Sequence, residues 1–189
     1  MTRLWLVRHG PTHIKAMVGW SDPPADLSDT AALARLRDHL PDAPVVSSDL
    51  QRAVATADAL SPTTRLPHDP ALREISFGAW EMRNFKEVEA EDPHTIRAYW
   101  DNPGHIAPPL GESWNAVRSR VDDAIDGYLA QGFDDLIVVA HFGMILTQVQ
   151  RALGIGAYEA FSHKIDNLSV TSLRAGPDGW QAERINHNP

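Results

Sequence analysis

Five side chains in this sequence have the types and positions to handle an anionic group. "LWLVRHG" (4–10) runs four apolar residues into Arg8, His9 and Gly10, with Thr12 two positions on. His141 stands in the same way at the end of "LIVVA" (136–140). Arg52 falls within the first turn of a helix that follows "APVVSS" (43–48), and Glu74 lies in "LREISFGAWE" (72–81). Arginine forks match phosphoryl oxygens in bidentate geometry and disperse the charge of a transition state. A neutral imidazole nitrogen can attack phosphorus and divide one hard displacement into two. Gly10 would let the backbone approach closely, and its carbonyl could fix the tautomer of His9. The remaining need is a proton donor for the leaving alkoxide. A phosphate beside a carboxylate favours the protonated form, which makes Glu74 a candidate general acid. Spacing alone leaves Glu81 and Glu112 available for the same task.

Several elements must position these groups. Arg3–Val7, 43–48 and 135–140 read as buried strands, with a short extended piece near Thr64–Leu66. Helices are predicted from a Ser28 N-cap to about His39, from a Ser48 or Asp49 cap through Leu60, over Glu112–Gln131, and from about Phe142 to Leu153. Residues 84–101 read as one or two short acidic helices, and 102–113 as a Pro/Gly-rich loop. Leu168–Arg174 and Trp180–Ile185, joined by "AGPDG", read as a hairpin. Strands alternating with helices imply an α/β fold of three layers, a mainly parallel mixed sheet flanked by helices. Ligands bind such sheets beyond the C-terminal strand ends, where both histidines fall. A helix following His141 would turn its N-terminal amides and dipole toward a bound anion. The long connection 10–26 has the length of a binding loop.

Composition sets the outer limits. The chain has 189 residues, 43% hydrophobic and 22% charged, enough for one α/β domain with a sizeable core. Seventeen Lys plus Arg against twenty-five Asp plus Glu give a net charge of -8, which argues against nucleic acid or an anionic membrane as the partner. The absence of cysteine excludes disulfides, thiolate nucleophiles and cysteine-ligated zinc. No apolar run approaches membrane-spanning length, so a soluble cytoplasmic protein is expected.

These segments together resemble the histidine phosphatase superfamily, in its phosphoglycerate mutase-like branch. "LVRHG" with Thr12 looks like the RHGxT signature, and "SSDLQRAVATADAL" like the S-x-L-x-R-A-x-x-T-A helix. "LREISFGAWE", "GESWNAVRSRV" and "VVAHFGMI" follow in family order, so the resemblance spans nearly the whole chain. It implies one such domain over 1–189 and a metal-independent phosphomonoesterase without cofactor. His9 would be the phosphoryl acceptor and Glu74 the acid, later the base for water. Arg8, Arg52 and His141 would complete the phosphate pocket, with Thr12 at its edge. The pattern is nearest to alpha-ribazole phosphatase-type and broad-specificity phosphatases, with a small phosphorylated molecule as partner. Oligomeric state stays open, a homodimer included.

Three positions depart from the family pattern. Pro11 replaces an acidic residue, Lys15 replaces an asparagine that touches phosphate, and Phe142 replaces a glycine after the second histidine. Lys15 either adds a cation or points away, and Phe142 should thicken the pocket wall and narrow its mouth. The stretch between Glu74 and His141 contains no Arg-Arg pair of the kind that mutases use to hold a carboxylate, which favours hydrolysis over mutase-type transfer. A catalytically silent phospho-ligand binding module is a second alternative. A metal on His9 and His13 with His141 or His163 lacks the helical context and glutamate of an HExxH site, and the arginines would repel it. Trp5, Trp20, Trp80, Trp100 and Trp114 are expected in core or loop packing, and His39, His68, His94, His105 and His187 at the surface. "GIG" (154–156) is too short for a dinucleotide site.

Overall fold

The computed structural model describes residues 1–176 and 179–189. The chain forms β1 (Thr2–Arg8), α1 (Thr30–His39), β2 (Val45–Ser47), α2 (Gln51–Ala59), α3 (Phe85–Glu91), α4 (Pro93–Asp101), α5 (Trp114–Leu129), β3 (Asp135–Ala140), α6 (Phe142–Leu153), α7 (Ala157–Ala160), β4 (Val170–Gly176) and β5 (Gly179–His187). Single 3-10 turns cover Pro70–Leu72 and Gly78–Trp80.

The sheet order is β2-β3-β1-β4-β5. β1 and β2 each pair parallel with β3, while β4 runs antiparallel to both β1 and β5. The expected mixed three-layer sheet is therefore present. Alternation along the central strands splits their side chains between two cores. Leu4, Leu6, Leu136, Val138 and Ala140 pack with Val117, Val121, Ile125 of α5 and Met144, Ile145, Val149 of α6. Val7, Ile137 and Val139 face the other way, onto Leu36 of α1 and Ala53 and Ala57 of α2. Shifting β1 or β3 by one residue would exchange the two cores, so the register is strongly specified. No helix among the described residues is long and apolar enough to cross a membrane.

Several boundaries differ from expectation for local reasons. Asp29, not Ser28, caps α1, its carboxylate accepting from the Ala32 amide. Neither Ser48 nor Asp49 caps α2, whose N-cap is Leu50 without a side-chain bond, because both polar residues are engaged elsewhere. α5 begins after Ser113, which caps it through the Ala116 amide, and it ends at Leu129. Residues 84–101 split into two helices at Asp92, which caps α4 ahead of Pro93. The extended piece near Thr64–Leu66 is a single bridge, Val45 to Arg65. The β4–β5 pairing makes the expected hairpin, but Pro177 and Asp178 of its "AGPDG" turn lie outside the described residues. Trp5 is half-buried instead of core, donating through Nε1 to Asp135 at 2.7 Å. His39 and His187 are half-buried too, their rings 4.5 Å apart.

Candidate active site

Three parallel strands end on one edge of the sheet, and the site grows from that edge. Register pairs Arg8 with Ala140 and Ser47 with Val139, so His9, His141 and Ser48 are the next residues on three adjacent strands. The His9 amide prolongs the ladder by donating to Ala140 O at 3.1 Å, and the Asn167 side chain donates to His9 O at 2.9 Å. The two imidazoles lie 5.1 Å apart between centroids. His9 is 6% exposed, Arg52 1%, Glu74 7% and His141 0%.

The tautomer of His9 follows from its partners. Nδ1–H donates to Gly10 O at 2.6 Å, leaving the Nε2 lone pair to accept from Arg52 Nε at 3.3 Å. Gly10 in turn donates its amide to Thr56 Oγ1 at 3.0 Å, and a Cβ there would stand 2.6 Å from Leu27 Cδ2. Both backbone polar groups of Gly10 thus serve the protein. Burial, then the Arg52 cation, pushes His9 down to about 3, against the hydrogen bond to Gly10. Burial likewise holds His141 well below the ordinary imidazole range. Both rings are neutral at pH 7.

That neutrality has a consequence for stability. The unfolded chain takes up a proton on each histidine near the ordinary value of 6.5, which the folded chain refuses until about 3 at His9. Stability therefore falls as pH drops from about 6.5 toward 3, by up to about 1.4 kcal/mol per pH unit for each such ring. Denaturant titrations between pH 6 and pH 4 should give a shallower slope for His9→Asn than for the unchanged chain. Equal slopes would mean that His9 is not held neutral.

Arg52 is far from the solvated arginine that its helix position alone would suggest. Nη1 and Nη2 donate to Ser21 O and Gly19 O at 2.8 and 2.7 Å, which turns Nε toward His9. The strap that supplies these carbonyls is held by one carboxylate. Glu81 accepts from the amides of Gly19, Trp20, Ser21 and Phe77 and from the Ser21 hydroxyl. Glu81 therefore anchors this strap and lies outside the cleft lining. Arg8 donates to Ile165 O at 2.6 Å and lies 5.4 Å from the centre of the Phe142 ring. Its Nε is buried without a protein partner.

Glu74 is gripped from both sides. Its Oε1 accepts from its neighbour's amide, Ile75, at 3.0 Å, and Oε2 accepts from the Gly143 amide at 3.0 Å. The carboxylate thus caps the N-terminus of α6, so the amide expected to meet a bound anion meets Glu74. A Cβ at Gly143 would fall 2.5 Å from Glu74 Oε1, so any larger residue there must displace the carboxylate. Behind it, Arg120 donates to the carbonyls of Ala71, Arg73 and Glu74 and pairs with Glu112 at 2.9 Å. Glu112 also takes the Ser76 amide and so buttresses the Glu74 segment. Trp20 Nε1 donates to Glu74 O at 2.9 Å.

His141 completes the cluster. Its Nε2 shares a 2.8 Å hydrogen bond with Ser48 Oγ, which already accepts from the Leu50 amide. With no other acceptor for the Ser48 proton among the described residues, that proton goes to Nε2 and leaves the ring's own proton on Nδ1. His141 Nδ1 is buried without a partner. Arg8, His9, Arg52, Glu74, Thr12 and Phe142 all line one cleft of about 270 Å³, together with Trp100, which is wall and not only packing. Lys15 is exposed and lines an adjoining groove. His13 is exposed as well, paired with Asp26 at 2.8 Å.

The family model described as "Histidine phosphatase superfamily (branch 1)" matches residues 4–188. The chain belongs to the histidine phosphatase superfamily. Among its relatives in that superfamily, the adenosylcobalamin/alpha-ribazole phosphatase of Escherichia coli K12 is 29% identical over 87% of this chain and 85% of that protein. The "Probable phosphoglycerate mutase GpmB" of Erwinia tasmaniensis is 28% identical over 96% of this chain and 89% of its own length. The crystal structure of the alpha-ribazole phosphatase from Shigella flexneri superposes with a TM-score of 0.85 at 26% identity, covering 99% of this chain and 97% of that one. Membership of the histidine phosphatase superfamily, with phosphatases among the relatives, supports a phosphatase enzyme acting on a small phosphorylated molecule.

Sequence reasoning overlooked several residues that hold the site: Ser48, Thr56, Gly143 and Asn167, and the anchoring role of Glu81. Ser48 and Thr56 both stand inside "SSDLQRAVATADAL", at the fixed positions of the pattern quoted for it, so a signal was present. Gly143 stands inside "VVAHFGMI" in the same way, whereas Asn167 lies outside the quoted segments.

Proposed function

We propose that this chain hydrolyses a phosphomonoester of a small molecule through a phosphohistidine on His9, without metal or cofactor. The observation that carries the reading is a buried neutral His9 with Nδ1 tied to Gly10 O, which leaves Nε2 as the basic nitrogen, lining one cleft with Arg8, Arg52 and Glu74. In the first step the Nε2–P bond forms as the P–O bond to the alcohol breaks, and Glu74 gives its proton to the leaving oxygen. In the second, Glu74 takes a proton from water, the water oxygen bonds phosphorus, and the P–N electron pair returns to Nε2. Arg8 lines the cleft with its Nε unpartnered and supplies a donor for the phosphoryl oxygens, while His141 Nδ1 is likewise unpartnered on a ring that is fully buried and outside the cleft lining. Arg52 already turns its charge to the attacking nitrogen.

Hydrolysis is favoured over mutase-type transfer because the stretch between Glu74 and His141 offers no spare cation pair. Its arginines, Arg83, Arg97, Arg118 and Arg120, are paired with Glu91, Glu89, Asp122 and Glu112. We read residues 1–189 as one domain of this type, and the lack of cysteine accords with a reducing cytoplasm. Incubation with a panel of phosphomonoesters, following both free phosphate and phosphate-shifted isomers, tests the reading; isomerisation without phosphate release would replace it by transfer. Arg52→Lys keeps the charge but cannot span Gly19 O, Ser21 O and His9 together. Its kcat is expected to fall by about 10²-fold with a smaller change in KM, measured by steady-state phosphate release.

A further inference from the structure

The cleft around His9 has two lobes that share a polar floor and differ in their outer walls. One is walled by Ala16, Met17, Val18, Phe77, Trp100 and Phe142. The other, of about 350 Å³, is walled by Pro11, His13, Lys15 and Asn167. Arg8, His9, Thr12 and Ile14 line both, so the reacting phosphate sits where they meet. Glu74 lines the apolar lobe alone. An acid can protonate a leaving oxygen only within hydrogen-bond reach, and in an in-line displacement that oxygen departs opposite the attacking nitrogen. The alcohol therefore runs into the lobe that holds Glu74, where water takes its place in the second step, and the other lobe is left to the outer phosphoryl oxygens.

The apolar wall is rigid and carries no cation of its own. Trp100 is held by Tyr99, Phe161 and Phe77 at 5.0, 5.9 and 6.4 Å between ring centres. Phe142 is backed by the Arg8 guanidinium. No Lys or Arg lines this lobe except Arg8 and Arg52, both needed for the phosphoryl group. Nearby Arg83, whose carbonyl holds the Met17 amide, sends its guanidinium to Glu91 at 2.6 Å. A carboxylate or second phosphate on the alcohol would lose water here and meet no countercharge. A fixed aromatic wall, by contrast, gains from covering an apolar group without first paying to order itself.

Resting on the phosphatase reading above, we propose that the preferred substrates are phosphomonoesters of alcohols that carry an apolar, flat group and no second anion. The test compares three esters of primary alcohols, 3-phenylpropyl phosphate, glycerol 3-phosphate and 3-phosphoglycerate, of which phenylpropanol is the poorest leaving group. The kcat/KM for the phenylpropyl ester should exceed that for glycerol 3-phosphate by about 10- to 100-fold, with 3-phosphoglycerate lower still. In Trp100→Ala, and in the milder Phe142→Leu, the first ratio should fall several-fold. Calorimetric titration with 3-phenylpropylphosphonate and 3-phosphonopropionate reads the same preference without chemistry. Turnover with equal or reversed order overturns the lobe assignment and leaves hydrolysis standing. Selective phosphonate binding without phosphate release from any ester upholds the lobe and overturns the phosphatase reading. Absence of preference in both measurements overturns the lobe.

Discussion

His9→Ala is expected to abolish phosphate release, by about 10⁵-fold or more, and to abolish labelling of the protein by a phosphorylated substrate. The expectation rests on a position that no neighbour can fill. His141, the other ring in the site, has its Nε2 occupied by Ser48, and its Nδ1 carries a proton in that arrangement, so it offers no lone pair. The unchanged chain, quenched during turnover, should carry a phosphate that is lost in acid and kept in alkali, as a phosphoramidate is. An acid-stable adduct would assign the acceptor to a hydroxyl such as Thr12 and remove His9 from its role. Folding of the variant is checked by the same denaturant titrations, in which loss of a buried neutral ring should flatten the acid limb of stability.

The outline of this site was legible because its signals are local. A buried strand ending in a cation, an imidazole and a glycine names one wall, and a second strand ending in histidine names the other. The parallel pairing of β1 with β3 in register brings the two together, which alternating patterns suggest but do not specify. The support was less legible because it is made by pairs far apart in sequence. Glu81 reaches back across 60 residues to the strap that turns Arg52, and Arg120 reaches back to the carbonyls beneath Glu74. Nothing in the spacing of Glu74, Glu81 and Glu112 separates the proposed acid from the other two. The cleft does: all three accept from amides, but Glu74 alone of them lines the cleft. The same distance in sequence explains Trp100, which reads as packing on its helix and becomes a wall once α4 folds over the cleft.

Removing the proton from the leaving-group side separates Glu74 from the other two glutamates in an experiment. Glu74→Gln should lower kcat/KM for an alkyl phosphate by about 10³-fold, because the alkoxide must then leave unprotonated. For p-nitrophenyl phosphate, whose leaving group needs no proton, the first step should be nearly spared. The second step still needs a base for water, so phosphoenzyme should accumulate and give a burst of nitrophenol followed by slow turnover. Glutamine is not a silent replacement, since Glu74 accepts from two amides, Ile75 and Gly143, and a carboxamide can accept from only one side. Gly143→Ala supplies the control: it crowds the same carboxylate without removing its acidity, as the 2.5 Å approach of the added Cβ to Oε1 requires. A displaced acid should slow the alkyl ester more than the aryl ester yet retain a measurable share of both. Equal losses for the two esters in Glu74→Gln would mean that Glu74 holds α6 in place and that the proton comes from elsewhere.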